Sequence, residues 1–163
     1  MTAHAPGSRR SPAEQRKLEA ALTELFERKI TFNQILGLRV LGLDQGCPQI
    51  RFDMRPDLVG HYQYGRLHGG VISATLDATA GLAIMVALGE KHADESSEQV
   101  MHRFARLGTI DLRVDFLRPG IGTHFTASAE VLRLGGRVGS AQMRLANEDE
   151  TLIATGAASY MLS

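Results

Sequence analysis

Residues 67–88 read LHGGVISATLDATAGLAIMVAL, a run that is apolar on nearly every face once it is wound as a helix. A histidine and two glycines open it, and a single charged side chain, Asp77, sits near its middle. A helix that is apolar all round belongs inside a protein core or a bilayer. Asp77 separates the two, because a carboxylate at the centre of a membrane span costs on the order of 3 kcal/mol. The helix is therefore expected to run through a core from about Gly70 to residue 91, a length of about 33 Å at 1.5 Å per residue.

The residues that could cover such a helix lie on both sides of it. Downstream, alternating runs occupy 109–118, closed by Pro119-Gly120, then 123–134, closed by Gly135-Gly136, then 137–147 and, after Glu148-Asp149-Glu150, 151–162. Turns rather than helices separate them, which predicts an antiparallel sheet. A ten-residue strand is also about 33 Å long, so strands and helix match. Upstream, Leu38 and Val40 lead into Asp44-Gln45-Gly46, and Ile50, Phe52 and Met54 then alternate with Arg51, Asp53 and Arg55, which predicts a hairpin. The fold class is α+β.

Three segments follow from this reading. Residues 1–10 hold nothing to bury and are expected to be a disordered tail. Residues 11–37 form an N-terminal helical segment: Ser11-Pro12-Ala13-Glu14 is a helix start, with Glu14 able to reach back to the N-cap amide. Leu18, Leu22, Leu25 and Phe26 follow at helical spacing, and a shorter turn through Phe32, Ile35 and Leu36 stops at Gly37. Residues 38–163 form the main domain, interrupted at 89–108 by a polar insert in which Ser96-Ser97-Glu98-Gln99 starts a short helix carrying Val100, Met101, Phe104 and Leu107.

Composition narrows the function classes. The chain has 163 residues, 44% apolar, with 18 basic and 18 acidic side chains. A domain of this size buries roughly 70% of its unfolded surface, so it needs no disulfide or structural metal, and Cys47 is the only cysteine. A net charge of zero argues against nucleic acid as a partner, since phosphate binding needs a basic excess. No charged n-region with an apolar h-region opens the sequence, so a cytoplasmic location is expected, with no membrane partner.

Asp77 is the residue most in need of an explanation, because a buried carboxylate must be paired, capped, protonated or used. Its helical neighbours Gly70, Ser73, Ala74, Ala80, Gly81 and Ile84 are mostly small, which leaves room for a ligand or for the close approach of another element with Asp77 tied to a backbone amide. His68-Gly69-Gly70 stands at the helix start, where amide N–H groups and the helix dipole suit an oxyanion or a polarised carbonyl. His68 could equally cap the helix. Asp77 lies about 10 to 12 Å along the axis from these glycines, whereas two groups acting on one carbonyl must each come within about 3 Å of it. If both act together, two copies of the helix must meet antiparallel in a homodimer.

The run Leu67-His68-Gly69-Gly70 through Leu76-Asp77, followed by Ala80-Gly81, resembles the HGG-x-x-x-x-L-x-D signature of PaaI-type hotdog thioesterases. Residues 108–120, GTIDLRVDFLRPG, resemble the second motif of that family. The polar insert makes the chain look closest to the YigI type, which acts on medium- or long-chain acyl-CoA. The resemblance covers about residues 31–163 and implies a hotdog fold, a central helix wrapped by about six antiparallel strands, paired edge to edge into a dimer or a dimer of dimers. It implies hydrolysis of an acyl-CoA at the subunit interface without cofactor or metal. Asp77 would be nucleophile or general base, the Gly69 amide, with Gly70, would polarise the carbonyl, and Thr109 would orient water. His61 or Gln63 takes the place of an amide side chain found before the HGG in relatives. For the phosphates of coenzyme A, Arg118 and Arg137, beside the turns Pro119-Gly120 and Gly135-Gly136, are the expected contacts in an arginine-rich second half. Met85 and Leu88 are expected to set the depth of an acyl tunnel. Two other readings stay open: hydration or dehydration of an acyl thioester using His61 or His68, and acyl-CoA binding without catalysis. A metal site is not expected, since His61, His68, Asp77, His102 and His124 lack compact ligand spacing.

Overall fold

The first helix, α1 (Pro12–Glu24), starts as its sequence dictates: Ser11 is extended and its hydroxyl accepts the Glu14 amide, with Pro12 in the first turn. These positions come from a computed structural model that describes residues 9–44 and 46–162. Glu14 does not reach back to the N-cap amide. Its carboxylate instead accepts from Lys17 at 2.8 Å and from the amide and hydroxyl of Ser97 at 3.1 and 3.0 Å, bonds that hold its carboxyl down at about 2 and dock α1 on the insert. After α1 comes one π-helical turn, Leu25–Lys29, which buries Leu25 and Phe26. A short helix, α2 (Thr31–Leu36), ends at Gly37 with φ at 72°, a left-handed cap that glycine takes at no steric cost. Residues 1–8 of the expected tail lie outside the described residues. Arg10 contradicts the expectation of disorder for its own position. Its guanidinium donates to the carbonyls of Gly89, His92 and Glu95 at 2.7 to 3.1 Å, where a helix end leaves acceptors unpaired.

The core helix, α3 (Gly69–Lys91), is the long apolar run. It is the one described helix long and apolar enough to cross a bilayer, and 67% of its most apolar stretch is buried within the protein. Six antiparallel strands wrap it: β1 (Arg39–Gly42), β2 (Gln49–Asp53), β5 (Gly108–Phe116), β6 (His124–Leu134), β7 (Val138–Asn147) and β8 (Leu152–Met161), in the spatial order β1-β2-β6-β7-β8-β5. The inward positions alternate as the sequence predicts. Phe52 and Phe125 stack at 5.3 Å, and Ala127, Ala129, Ala141, Ala154 and Ala158 let the sheet close tightly on α3. This is the hotdog arrangement that the motifs imply.

One small sheet has no counterpart in the sequence reading. A 3-10 turn at Pro56–Leu58 leads into β3 (Val59–His61), which pairs with β4 (Arg66–Leu67). The hairpin is fixed from outside itself: the His68 amide donates to Leu58 O at 2.8 Å and the Leu67 amide to Gly120 O at 2.9 Å. A side chain at Gly60 would place its Cβ 2.6 Å from the His68 Cα, so only glycine lets the hairpin lie against the start of α3.

The insert holds α4 (Ser97–His102), opened by a capping box in which Ser96 and Gln99 bond reciprocally, and a 3-10 turn at Arg103–Arg106. That turn delivers the chain to β5, which pairs only with β8. Among the described residues nothing pairs with its outer edge, and Ile110 and Phe116 are 57% and 56% exposed. An open, apolar-bearing edge strand is a surface prepared for pairing.

Candidate active site

Asp77 stands midway along α3, half-buried rather than fully enclosed. Its Oδ1 accepts from the Thr109 hydroxyl at 2.9 Å and from the Tyr160 hydroxyl at 2.7 Å, and the Tyr160 hydroxyl is also 2.9 Å from the Asp77 carbonyl. Thr109 and Tyr160 are direct cross-strand partners on β5 and β8, so one register position of the sheet supplies both donors. No backbone amide holds this carboxylate, and Oδ2 has no partner among the described residues. Burial, reinforced by the negative charge of Asp77, pushes the Tyr160 phenol far above its ordinary value, so it remains a donor throughout the working pH range.

Beside the carboxylate lies a cavity of about 250 Å³. Ala74, Asp77, Ala78 and Gly81, at helical i, i+3, i+4 and i+7 spacing, make its α3 wall. Phe26, Ile30 and Phe32 from the N-terminal segment and Phe104 and Leu107 from the insert make the opposite wall. Asp77 is the only acid among the lining residues. Met85 and Leu88 do not line this cavity, contrary to expectation. Both are buried in the core, because α1 closes over α3 past Gly81, with Leu18 against Gly89.

At the start of α3 the two glycine amides differ. His68 is the N-cap, and its Nδ1 accepts the Gly70 amide at 2.8 Å, so the Gly70 donor is already engaged. The Gly69 amide has no acceptor among the described residues and lies at the positive end of the helix dipole, beside the Phe116 ring. Eight residues separate Gly69 from Asp77, about 12 Å along the axis. Within one chain the two do not converge.

The other residues singled out from the sequence are dispersed. His61 and Gln63 are exposed on the β3–β4 hairpin, His61 packed on Tyr64 at 4.8 Å, and neither lines the cavity. Arg118 donates to Leu152 O at 2.9 Å. Pro119 is exposed, Gly120 is buried against Leu67, and Arg137 is exposed on the β6–β7 turn. Tyr160 went unpredicted. Its one sequence signal is that a tyrosine follows Ala154, Gly156 and Ala158 on the inward face of a strand, where its hydroxyl must find a partner.

The sequence and fold that carry this site have counterparts among known proteins. The thioesterase superfamily model matches residues 64–154. The chain belongs to the thioesterase superfamily. It is 41% identical over 139 residues to the medium/long-chain acyl-CoA thioesterase YigI of Salmonella typhimurium, covering 85% of this chain and 90% of that one, and 40% identical over the same span to YigI of Escherichia coli K12. A crystal structure of a Shewanella oneidensis protein related to the thioesterase superfamily superposes with a TM-score of 0.87 at 37% identity, over 94% of this chain and 99% of that one. The PaaI protein of the E. coli phenylacetic acid degradation operon shares the fold, with a TM-score of 0.69 at 17% identity over 92% of this chain and 96% of that one. Asp77, Thr109 and the Gly69 amide of this superfamily member all fall inside the matched residues.

Proposed function

We propose that this thioesterase-superfamily protein hydrolyses medium- or long-chain acyl-CoA to fatty acid and coenzyme A, in a site that two chains build together. The observation that carries the reading is the free Oδ2 of Asp77 facing an apolar cavity, with Oδ1 fixed by Thr109 and Tyr160. Oδ2 attacks the thioester carbonyl or takes a proton from an attacking water. As nucleophile, Oδ2 displaces the coenzyme A thiolate to leave a mixed anhydride, which water then hydrolyses to the fatty acid while restoring the carboxylate and supplying the thiolate's proton. As general base, it takes a proton from the water that adds to the carbonyl carbon, the C–S bond breaks, and that proton passes to the departing thiolate. The Gly69 amide of the second chain stabilises the carbonyl oxygen as charge develops on it. The open β5 edge and the 12 Å separation of Gly69 from Asp77, about eight residues of helix, both support a homodimer with its sheets joined edge to edge, and the resemblance extends this to a dimer of dimers. Exposed Arg118 and Arg137 are the proposed phosphate contacts. A cytoplasmic setting is part of the proposal.

Hydration chemistry is disfavoured because His68 is occupied as a helix cap and His61 stands away from the cavity. A panel of acyl-CoAs from acetyl to palmitoyl, scored by thiol release, tests the reading. Turnover is expected to be higher on medium- or long-chain substrates than on acetyl- or butyryl-CoA, and release from no substrate would reject hydrolysis in favour of binding alone. A monomeric mass by light scattering, at full turnover, would reject the two-chain site.

Tyr160→Phe is expected to lower kcat about tenfold, since a hydrogen bond to a charged group is worth about 1.5–3 kcal/mol. KM should move less, because the hydroxyl touches Asp77 and not the acyl group. Wild-type kcat in this variant would mean that Thr109 alone holds the carboxylate.

A further inference from the structure

The cavity at Asp77 has an end. Phe26 and Phe104 meet edge to face across it, with ring centroids 6.1 Å apart and planes at 72°. The two rings come from segments outside the strands, Phe26 from the π-helical turn and Phe104 from the 3-10 turn of the insert. A π-helical turn is rare and costs regular bonding, and such turns recur where function needs a side chain re-aimed. Here the Phe26 carbonyl is taken up by the buried Asn33 side-chain amide at 3.0 Å, which fixes the turn and the ring it carries. Opposite stands Gly81, where an added Cβ would sit 3.9 Å from the Phe26 ring and 4.0 Å from Tyr160. The missing side chain at 81 is therefore part of the open volume.

We propose that the Phe26–Phe104 contact is the terminal wall of the acyl pocket, and that this wall and the bare Gly81 position together set the acyl length the protein accepts. The inference rests on the acyl-thioester reading of the site. With the carbonyl at Asp77, the acyl chain runs along α3 past Ala78 and Gly81 to the two rings. A methylene takes about the space of one water molecule in the liquid, ~30 Å³. A cavity of about 250 Å³ then holds on the order of eight carbons, so the best substrates are medium-chain.

The test is kcat/KM for butyryl- through palmitoyl-CoA, by thiol release, in wild type and two variants. Gly81→Ala meets only ordinary van der Waals neighbours and improves helix propensity, so it keeps the fold. It should lower the decanoyl-to-butyryl ratio by about fourfold, the worth of one excluded methylene. Phe104→Ala removes half of the wall from a partly exposed position and should raise the palmitoyl-to-decanoyl ratio by about tenfold. Opposite shifts of the two profiles support the proposal. Length profiles that superpose on an active wild type overturn it while leaving the acyl-CoA reading intact. No thiol release by wild type from any chain length overturns that reading, and the inference falls with it.

Discussion

Asp77→Ala is expected to lower kcat for thiol release by about a thousandfold, within the range that a lost general base or nucleophile produces. Every other described residue lining the cavity is neutral at working pH, so none of them can take over. The fold should not suffer. Once the carboxylate is gone, the Tyr160 hydroxyl still has the carbonyl of residue 77 at 2.9 Å, and no buried donor is orphaned. Asp77→Asn sharpens the test, since its side-chain oxygen can still accept from Thr109 and Tyr160 while it can neither attack nor take a proton. Both variants should keep the wild-type melting temperature within a few degrees. Turnover near wild type in either one would remove Asp77 from the chemistry.

Gly69→Pro is expected to lower kcat by about a hundredfold or more, the loss seen when one oxyanion donor is deleted. Residue 69 is the first of α3, and proline at that position removes only an N–H that a helix leaves unpaired anyway. His68, at φ −67° and ψ 136°, already has the extended conformation that a residue before proline requires. The Phe116 ring, 3.3 Å from the position of a new Cβ, must give by a few tenths of an ångström. An equal mixture of Asp77→Ala and Gly69→Pro chains then tests the two-chain site. Half of the dimers pair the two variants, and each of those has one complete site, so about a quarter of wild-type activity should return if the dimer is two-fold symmetric. Failure of two inactive, dimeric variants to complement would show that each chain works alone.

The elements with a clean period were legible in the sequence. The start of α3 falls one residue from the predicted Gly70, and the six strands occupy the alternating runs, because burial on one face leaves a period that local sequence cannot hide. The β3–β4 hairpin was not legible, since its bonds go to Leu58, His68 and Gly120 and no alternation marks it. Asp77 stood out as a lone charge, whereas Tyr160 needed the β5–β8 register, which only the folded sheet fixes. Met85 and Leu88 share the helical face of Gly81 by spacing alone. What covers α3 at that end is the packing of α1, with Leu18 against Gly89, a contact between segments far apart in the chain.

The strand order carries a consequence for how the site comes into being during synthesis. β8, late in the chain, lies between β7 and β5, so β5 has no partner in its own chain until residues 152–161 have been made. Asp77 and Thr109 emerge from the ribosome long before Tyr160, and until then the carboxylate lacks the phenol and the helix lacks one wall. A chain that has not reached β8 therefore lacks two things at once, the phenol that holds Asp77 and the strand that pairs with β5.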